Sequence, residues 1–436
     1  MKTDTDTECL CNTALSAHCS DDQARKVRVI DYPCGSGKTT ALLNSLVREK
    51  NYLVVVPYLS ECERVISSTA SQYGEGFFVQ PRSDETTSKK EDLRNLLIEG
   101  QNIVTTHSLY YLIAPLCEEG LLDDYHIIID EVLQPAEVRP KPKAASWKEF
   151  YVDDGFVSVC DETRRVQVTD KWKVQYELVN DTLNRNIFAW ASTNCLYDIG
   201  DSFFILTIPQ ALLKAGRSLT IYTYKADGSL LLQFLRWARI SAELVTDEAL
   251  EEDMKRKARV LIDLRLMTSL KDVKLSHSRQ AKHTAGSDPA KKVATALSNL
   301  NQRELKGIAQ KNILVTCSKA NWYKSGMGPN ETQSPKAGPY AAQSRMFKGA
   351  TWLPNTTRGT NQFIEASHLI YLYDQYPNQL VGRLFGQSYR QPLKDAYALT
   401  ELIQWVWRSR IRRGEPITLY MGSQRMYEVF DKWRKS

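Results

Sequence analysis

The sequence predicts an α/β protein made of two tandem lobes with parallel sheets, with an inserted β-rich element in the first lobe. Its 436 residues are enough for about two to three domains of roughly 150 residues each. Short apolar, β-branched runs recur along the chain, and in the first half helical patterns follow them, as in parallel βα units. The runs are continuous rather than alternating, which is typical of strands that helices cover on both faces.

The runs fall into two groups, one for each lobe. The first group comprises residues 27–32, 53–56, 102–105, 126–129 and 219–223. The second group comprises residues 260–263, 312–316, 368–373 and 417–420. Between the fourth and fifth runs, residues 135–200 contain prolines and then alternating apolar residues, which predicts inserted hairpins on the first lobe.

Less regular segments join these parts. Residues 240–258 are charged and lack glycine, which predicts a helix that bridges the lobes. Residues 270–300 and 319–349 are rich in Lys, Ser, Gly and Pro and have no period, which predicts mobile, basic loops. The predicted domains are a flexible tail over 1–24, lobe one over 25–240 and lobe two over 241–436.

Composition narrows the class of protein. Apolar residues at 42% and charged residues at 25% are globular averages, and no apolar stretch approaches the ~18 residues of a membrane helix. The polar, acidic start does not resemble a signal peptide, so we expect a cytoplasmic protein without a membrane partner, in the host cytoplasm if it is viral. Nine cysteines without a regular spacing favour reduced thiols over a disulfide framework.

The net charge of +6 is mild, but basic residues concentrate at the C-terminus. Residues 401–436 contain eight Lys or Arg against four acids, interleaved with Trp405, Trp407 and Trp433. Basic side chains among aromatic ones suit a polyanion that carries stackable bases, namely a nucleic acid. A solvated helix face is the alternative interpretation.

A glycine-rich loop follows the first predicted strand. Residues 33–40 read Pro-Cys-Gly-Ser-Gly-Lys-Thr-Thr and lead into a helical pattern, although Tyr32 stands where the usual motif has its first glycine. In such a unit, backbone N–H groups surround phosphate oxygens, the lysine reaches the β and γ phosphates of ATP, and the threonine after it binds Mg²⁺. The predicted cofactor contacts are Gly35, Ser36, Gly37, Lys38, Thr39 and Thr40, with Thr39 as a metal ligand.

The apolar run over 126–129 ends in two acids, Asp130 and Glu131. A phosphate-loop enzyme needs one carboxylate beside the loop to hold Mg²⁺ and a second to act on the lytic water. Asp130 suits the metal role and Glu131 that of the general base. A strand followed by an ordinary helix cap is the alternative, but two predicted strands between Lys38 and Asp130 favour catalysis.

Short polar segments lie at the ends of other predicted strands. The carboxyl ends of parallel strands form one edge, where α/β sheets bind ligands. Such segments suit contacts to a sugar-phosphate backbone, although turn chemistry alone also places Ser and Thr there. The predicted nucleic-acid contacts are Pro57, Tyr58, Thr105, Thr106 and His107 in lobe one and Thr357, Arg358 and Gly359 in lobe two.

Residues 399–414 predict a single helix that ends with Gly414 as its C-terminal cap. Gln404, Arg408 and Arg412 recur every four residues and therefore share a face. An arginine placed on the γ-phosphate from the opposite lobe makes hydrolysis depend on lobe closure. We assign these three residues to the catalytic site, with either arginine as the finger.

Taken in order, these pieces resemble the motif series of superfamily 2 (DExx-type) helicases, in the divergent form of phage or virus-type members. The resembling segments are 33–40 (motif I), 54–60 (Ia), 104–108 (Ib), 127–132 (II), 218–224 (III), 314–318 (IV), 356–360 (V) and 404–412 (VI). Motif VI departs from the family pattern, because Trp407 replaces its glycine and the arginine spacing is one residue longer. Residues 379–383 match its first letters, but Gly386 stands where the second arginine belongs.

The resemblance implies two RecA-like lobes and an ATP- and Mg²⁺-dependent helicase or translocase. Such a protein moves along single-stranded nucleic acid, here DNA rather than RNA, or acts at a fork or duplex junction in replication or recombination. It would work as a monomer or in an assembly with replication proteins. Two alternatives stay open: a DNA-packaging-type ATPase motor, and a non-catalytic adaptor whose nucleic-acid binding is switched by nucleotide.

Two groups of metal-binding residue types remain. The N-terminal segment contains Cys9, Cys11, His18 and Cys19. These ligand types suit zinc, but their cramped spacing favours a frayed tail. His277 and His283 have no acidic partner at a useful spacing and predict surface positions.

Overall fold

The computed structural model describes most of the chain. The described residues are 26–131, 133–175, 182–200, 202–332, 334–342, 344–357, 362–386 and 390–436. The predicted tail with its Cys/His cluster lies outside these ranges, as do Arg358 and Gly359 among the predicted nucleic-acid contacts. Within these ranges, no helix has the length and apolar character needed to cross a bilayer.

The described residues form sixteen strands. They are β1 (Val27–Asp31), β2 (Asn51–Val56), β3 (Ile103–Thr106), β4 (Tyr125–Asp130), β5 (Ala136–Pro140), β6 (Val157–Val159), β7 (Val166–Val168), β8 (Leu196–Asp198), β9 (Phe203–Thr207), β10 (Ser218–Thr223), β11 (Ala242–Thr246), β12 (Ile262–Leu266), β13 (Ile313–Thr316), β14 (Thr351–Trp352), β15 (His368–Tyr371) and β16 (Ile417–Met421).

Seventeen α-helices lie in the same ranges. They are α1 (Lys38–Asn44), α2 (Leu59–Tyr73), α3 (Lys89–Ile98), α4 (His107–Tyr111), α5 (Ala114–Glu118), α6 (Ala144–Trp147), α7 (Asp170–Val174), α8 (Thr182–Ser192), α9 (Gln210–Lys214), α10 (Leu230–Trp237), α11 (Glu248–Leu261), α12 (His277–Gln280), α13 (Asp288–Arg303), α14 (Lys319–Trp322), α15 (Gln379–Leu384), α16 (Gln391–Val406) and α17 (Gln424–Lys435). Turns of 3₁₀ helix include Ala226–Gly228 and Arg410–Arg413, and a π-helix covers Lys148–Asp153.

The first lobe contains a six-stranded parallel sheet in the order β11-β1-β10-β4-β2-β3. Its inner strands are apolar on both faces, and Leu53, Val54 and Val55 of β2 have no exposed surface. Helices pack against both faces of such a sheet, which explains why the apolar runs are continuous. Because β1, β10 and β4 are neighbours, the loops that follow them lie together at one edge.

The chain between β4 and β10 forms the β-rich insertion that the sequence predicts. Strands β5, β9 and β8 make an antiparallel sheet, and β6 pairs with β7 as a hairpin. Its core is largely aromatic, with Trp147, Trp172 and Phe204 buried in one cluster. The antiparallel sheet ends at Thr207, somewhat beyond the predicted limit of the insertion at 200.

The second lobe contains a five-stranded parallel sheet in the order β12-β16-β15-β13-β14. Alternate residues of β13 face two separate cores: Leu314 packs on one side, while Ile313 and Val315 pack on the other. The sheet is therefore covered on both faces. Two lobes with parallel sheets and an antiparallel insertion in the first confirm the predicted fold class.

The predicted bridging helix over 240–258 is wrong at its start. Residues Ala242–Thr246 form β11, which pairs with β1 at the edge of the first sheet, so this sheet extends past the predicted boundary at 240. The helix begins at Glu248, where the Asp247 carboxylate accepts a hydrogen bond from the N–H of Leu250 at 3.0 Å. An edge strand is solvated, and its polar composition therefore resembles that of a helix.

The two predicted basic loops are also corrected. Residues 270–300 include α12 and most of α13, a helix of 16 residues whose apolar stripe lies in the core. In the segment over 319–349, Trp322 and Tyr340 are fully buried. His283 is buried rather than at the surface, because its ring lies within hydrogen-bonding distance of the Tyr340 hydroxyl. Both segments also carry exposed lysines, which hide the buried apolar residues from an analysis of composition.

The single helix predicted over 399–414 is divided in the structure. α16 ends at Val406, and the 3₁₀ turn Arg410–Arg413 follows, with Gly414 at φ 79° as its cap. The competing segment over 379–383 lies in α15, whose Val381 packs into the core of lobe one. That segment does not line the cavity around the phosphate loop.

Helix α16 packs closely against the turn Ala226–Gly228 of lobe one. The Thr400 hydroxyl donates to the carbonyl of Lys225 at 3.2 Å. A β-carbon on Gly228 would lie 2.4 Å from the carbonyl oxygen of Ala396 and 2.6 Å from Thr400 Oγ1. Glycine is therefore required where the turn meets the helix.

We expect Gly228→Ala to lower the free energy of unfolding by about 1–3 kcal/mol, because the added methyl group overlaps the backbone of α16. Urea denaturation measures the effect. Asp227→Ala, an exposed neighbour in the same turn, is the matched control and should change stability by less than about 0.5 kcal/mol. Equal stabilities of the two variants would contradict the close approach.

Candidate functional site

The phosphate loop joins β1 to α1 through a tight curve. Gly35 and Gly37 adopt φ angles of 80° and 78°, in the left-handed region that favours glycine. The Ser36 hydroxyl is buried without a hydrogen-bond partner in the described structure. A buried hydroxyl of this kind is satisfied when an acceptor enters the loop, so the loop suits an anion.

Lys38 lies at the first position of α1 and points back across the loop. Its ammonium group donates to the carbonyl of Tyr32 at 2.8 Å and to that of Thr223 at 2.9 Å. Tyr32 directly follows β1, and Thr223 is the last residue of its neighbour β10. The lysine therefore links the two strand ends beneath the loop.

Thr39 and Asp130 bring together the oxygens of the first and second predicted motifs. The Thr39 hydroxyl donates to Asp130 Oδ2 at 2.9 Å. Burial raises the pKa of Asp130, and the neighbouring charge of Glu131 raises it further. A hydroxyl and a carboxylate are hard oxygen ligands of the kind that Mg²⁺ prefers, so the pair fits this ion. Among the described residues, no group of three His, Cys, Asp or Glu side chains could hold a metal by itself.

Glu131 pairs with an arginine of the other lobe. Its backbone has a φ of 67°, which is unusual for a residue with a side chain. Its carboxylate lies 3.3 Å from a terminal nitrogen of Arg408, whose side chain is only 3% exposed. The Arg408 Nε is also buried and has no partner in the described structure. A further acceptor in this place would satisfy it.

Arg412 lies directly over the phosphate loop. Its Cγ and Nε are 3.4 and 3.6 Å from the position that a β-carbon on Gly35 would occupy. Burial lowers the pKa of its guanidinium, and the nearby charge of Arg408 lowers it further. An anion between these groups would relieve that repulsion.

These residues enclose a cavity of about 570 Å³, here called the nucleotide cavity. Its lining residues are Cys34, Gly35, Gly37, Lys38, Thr39, Thr40, Pro57, Glu61, Arg64, Asp130, Glu131, Ile364, Arg408, Arg412 and Arg413. The cavity thus combines most of the predicted loop contacts with both acids and both candidate fingers. Gln404 is not in its lining: the Gln404 side chain is buried and donates to the carbonyl of Tyr224 at 3.4 Å.

A second cavity of about 1290 Å³, here called the interlobe cleft, adjoins the first. Its lining residues are Pro57, Tyr58, Leu59, Ser60, Glu61, Ser88, Lys89, Lys90, Thr106, Ser108, Leu109, Leu112, Leu353, Thr357, Gln362 and Phe363. Four predicted nucleic-acid contacts, from both lobes, are therefore together: Pro57, Tyr58, Thr106 and Thr357.

Two predicted nucleic-acid contacts lie elsewhere. Thr105 is buried within β3. His107 Nε2 lies 3.1 Å from the carbonyl oxygen of Asp130, so its ring supports the second motif and does not line the cleft.

Sequence reasoning missed Lys89 and Lys90 of the interlobe cleft and Arg64 of the nucleotide cavity. A signal for the lysines exists, because Ser88 and Glu91 mark the start of a helix. In the structure the Ser88 hydroxyl accepts the N–H of Glu91 at 3.2 Å. The position of this helix beside the cleft has no signature in the local sequence.

Comparisons with known proteins bear on the fold. Residues 254–434 match a family described as the YonV C-terminal Rossmann-like domain. The chain is 22% identical over 424 residues to the SPbeta prophage-derived uncharacterized protein YonV of Bacillus subtilis strain 168, covering 94% of this chain and 98% of that protein.

Two solved structures are similar along almost the whole chain. A structure titled XPD_Helicase has a TM-score of 0.52 and 11% identity and covers 94% of both chains. The structure of S. tokodaii Xpd4 has a TM-score of 0.51 and 10% identity and covers 93% of this chain and 94% of that one. The chain therefore folds as two tandem RecA-like lobes. At these identities the similarity establishes the fold alone.

Asp130→Asn is expected to raise the free energy of unfolding at neutral pH without nucleotide or metal. The amide keeps an oxygen for the Thr39 hydroxyl and removes a buried charge beside Glu131. Because the folded pKa of Asp130 is raised, the native state favours its protonated form, and the gain should shrink as pH falls through that pKa. Urea denaturation at several pH values measures this.

Asp130→Ala is the matched control for this comparison. It removes the same charge but leaves the Thr39 hydroxyl without its acceptor, so it should be less stable than Asp130→Asn. If Asp130→Asn lowered the free energy of unfolding at neutral pH, the buried charge of Asp130 would not be destabilising, and the prediction would be wrong.

Proposed function

We propose that this protein is an ATP- and Mg²⁺-dependent helicase or translocase that moves along single-stranded nucleic acid. The observation that supports it is one cavity in which the phosphate loop, Asp130 and Glu131 of lobe one meet Arg408 and Arg412 of lobe two. Because these groups belong to different lobes, hydrolysis would depend on how closely the lobes approach. A reaction with this dependence can move a ligand that lies between the lobes.

In this proposal the residues of lobe one bind the triphosphate and act on water. Lys38 would exchange its two carbonyl partners for phosphate oxygens, and Thr39 and Asp130 would hold the metal. The chemistry supplied by a bound Mg²⁺ would be positive charge that offsets the charge of the phosphates. Glu131 would orient and deprotonate the attacking water, and its position next to Asp130 in the chain supports this role.

Arg412 is the better candidate for the arginine finger. It lies over Gly35, where the phosphates would be, whereas Arg408 is held against Glu131 at 3.3 Å. Arg408 would therefore orient the general base, and its buried Nε–H could donate a hydrogen bond to a phosphate oxygen as a second contact. The position of Arg412 over the loop therefore supports it as the finger, a choice that the spacing of the two arginines in the sequence leaves open.

The interlobe cleft is the proposed binding site for the nucleic-acid strand. Pro57 and Glu61 line both cavities, so a strand in the cleft would adjoin the nucleotide. Thr106 of lobe one and Thr357 of lobe two line the same cleft, and lobe closure would shift one relative to the other. The fold shared with the structure titled XPD_Helicase supports this mechanism. We propose DNA, in replication or recombination, as the nucleic acid along which the protein moves.

The test of the proposed function is ATP turnover with single-stranded DNA, RNA and duplex DNA. We expect one polymer to stimulate the rate, and Lys38→Ala to abolish nucleotide binding. Glu131→Gln should bind a fluorescent ATP analogue normally yet lose turnover by about 100-fold or more, because the amide cannot accept the proton of water. Equal rates with all three polymers, or a Glu131→Gln variant that keeps nucleotide-switched nucleic-acid binding as its activity, would favour the non-catalytic adaptor.

Arg412→Ala should lower kcat by about 1000-fold with little change in ATP affinity, because a finger acts on the charge of the transition state. Arg410→Ala is the matched control from the same 3₁₀ turn, since its guanidinium donates to the Pro416 carbonyl at 2.6 Å and does not line the cavity. Single-turnover hydrolysis measures the chemical step. Similar rates for the two variants would exclude Arg412 as the finger.

A further inference from the structure

The interlobe cleft differs in chemistry from the nucleotide cavity beside it. Eight of the fifteen described residues that line the nucleotide cavity are charged. In the interlobe cleft, seven of the sixteen described lining residues are apolar or aromatic. A ligand of the cleft is therefore expected to present apolar surface to these walls.

The apolar walls of the cleft come from both lobes. Leu59 and Leu112 of lobe one are 50% and 59% exposed, and Tyr58 is 44% exposed. Leu353 and Phe363 of lobe two line the same cavity, with Leu353 buried at 4% exposure and Phe363 half-buried. The exposed apolar side chains of lobe one form a group of the kind that is typical of a binding surface.

Positive charge lies beside these walls. Lys89 and Lys90 are exposed in the first turn of α3 and line the cleft. The acid that also lines the cleft, Glu61, lies 2.6 Å from Arg64, which neutralises it. A ligand would thus meet apolar surface and ammonium groups in one cavity.

This combination determines how a nucleic acid could enter. A phosphate placed against leucine loses its water and gains no hydrogen bond, which is costly. A base has an apolar face that stacks on aromatic and aliphatic side chains. The bases would therefore face the leucines, and the phosphates would face the lysines.

We propose that the interlobe cleft binds unpaired bases on its apolar walls, while Lys89 and Lys90 hold the adjoining phosphates. The proposal rests on the proposed function for the identity of the ligand as a single-stranded nucleic acid. Charge complementarity supports this occupant over an apolar peptide, because such a peptide carries no negative charge to pair with the two lysines. The cleft consequently requires bases as well as a sugar-phosphate backbone.

The first test compares two oligonucleotides of equal length and charge, one of thymidine and one of abasic sites. Fluorescence anisotropy measures their binding to the full chain at a fixed salt concentration. We expect the abasic strand to bind at least about tenfold more weakly, since each stacked base contributes substantially to affinity. Equal affinities would overturn the proposal.

Variants separate the two parts of the cleft. Leu112→Ser should reduce the preference for thymidine, whereas Leu183→Ser, an exposed leucine of the insertion, should leave it unchanged. The Lys89→Ala/Lys90→Ala double variant should weaken both strands equally and lower the salt-dependence slope by about 1.4, at about 0.7 per phosphate contact. The adjacent exposed lysines of α13, changed as Lys291→Ala/Lys292→Ala, are the matched control.

The outcomes distinguish this inference from the proposed function. Polymer-stimulated ATP turnover with no preference for bases would overturn the inference and leave the motor intact. Absence of both strand binding and stimulation would overturn both. Loss of preference in Leu183→Ser as large as in Leu112→Ser would also count against the cleft as the binding place.

Discussion

The buried guanidinium of Arg408 constrains how the two lobes fit together. Its side chain belongs to lobe two, yet the carboxylate beside it, Glu131, belongs to lobe one. A charge taken out of water without an acceptor is strongly destabilising. The arrangement of the lobes is therefore coupled to this pair, and the pair lies in the cavity where the phosphate loop, the acids and Arg412 converge.

The end of β10 extends this coupling to the phosphate loop. Lys38 donates to the carbonyl of Thr223, and the next carbonyl, that of Tyr224, accepts from Gln404 of the second lobe. The Tyr224 hydroxyl donates to Glu251 at 2.8 Å, which ties the same segment to α11. A movement of the lysine can therefore reach the second lobe through consecutive backbone groups. The sequence predicts Gln404 in the catalytic cavity, but in the structure its side chain contacts the backbone of lobe one at Tyr224.

Local patterns predicted the parts of the fold that depend on local chemistry. A continuous apolar run identifies a strand covered on both faces, and glycines followed by Lys38 identify the loop. The edge strand Ala242–Thr246 was not predicted, because its mostly exposed side chains have the composition of a helix. The end of α16 at Val406 escaped because no glycine or proline marks it. Lys89 and Lys90 line the interlobe cleft because segments distant in the sequence pack together. No local pattern in the sequence reports such packing.

Lys38 already donates hydrogen bonds to two acceptors within the protein, the Tyr32 and Thr223 carbonyls. An anion that recruits this lysine must replace two existing bonds, so its net gain is the difference between new and old contacts. In the proposed function a triphosphate would contact the loop, the lysine and the arginines together, whereas inorganic phosphate would make fewer contacts at once. The protein would therefore discriminate among anions by the number of contacts that each can make at once.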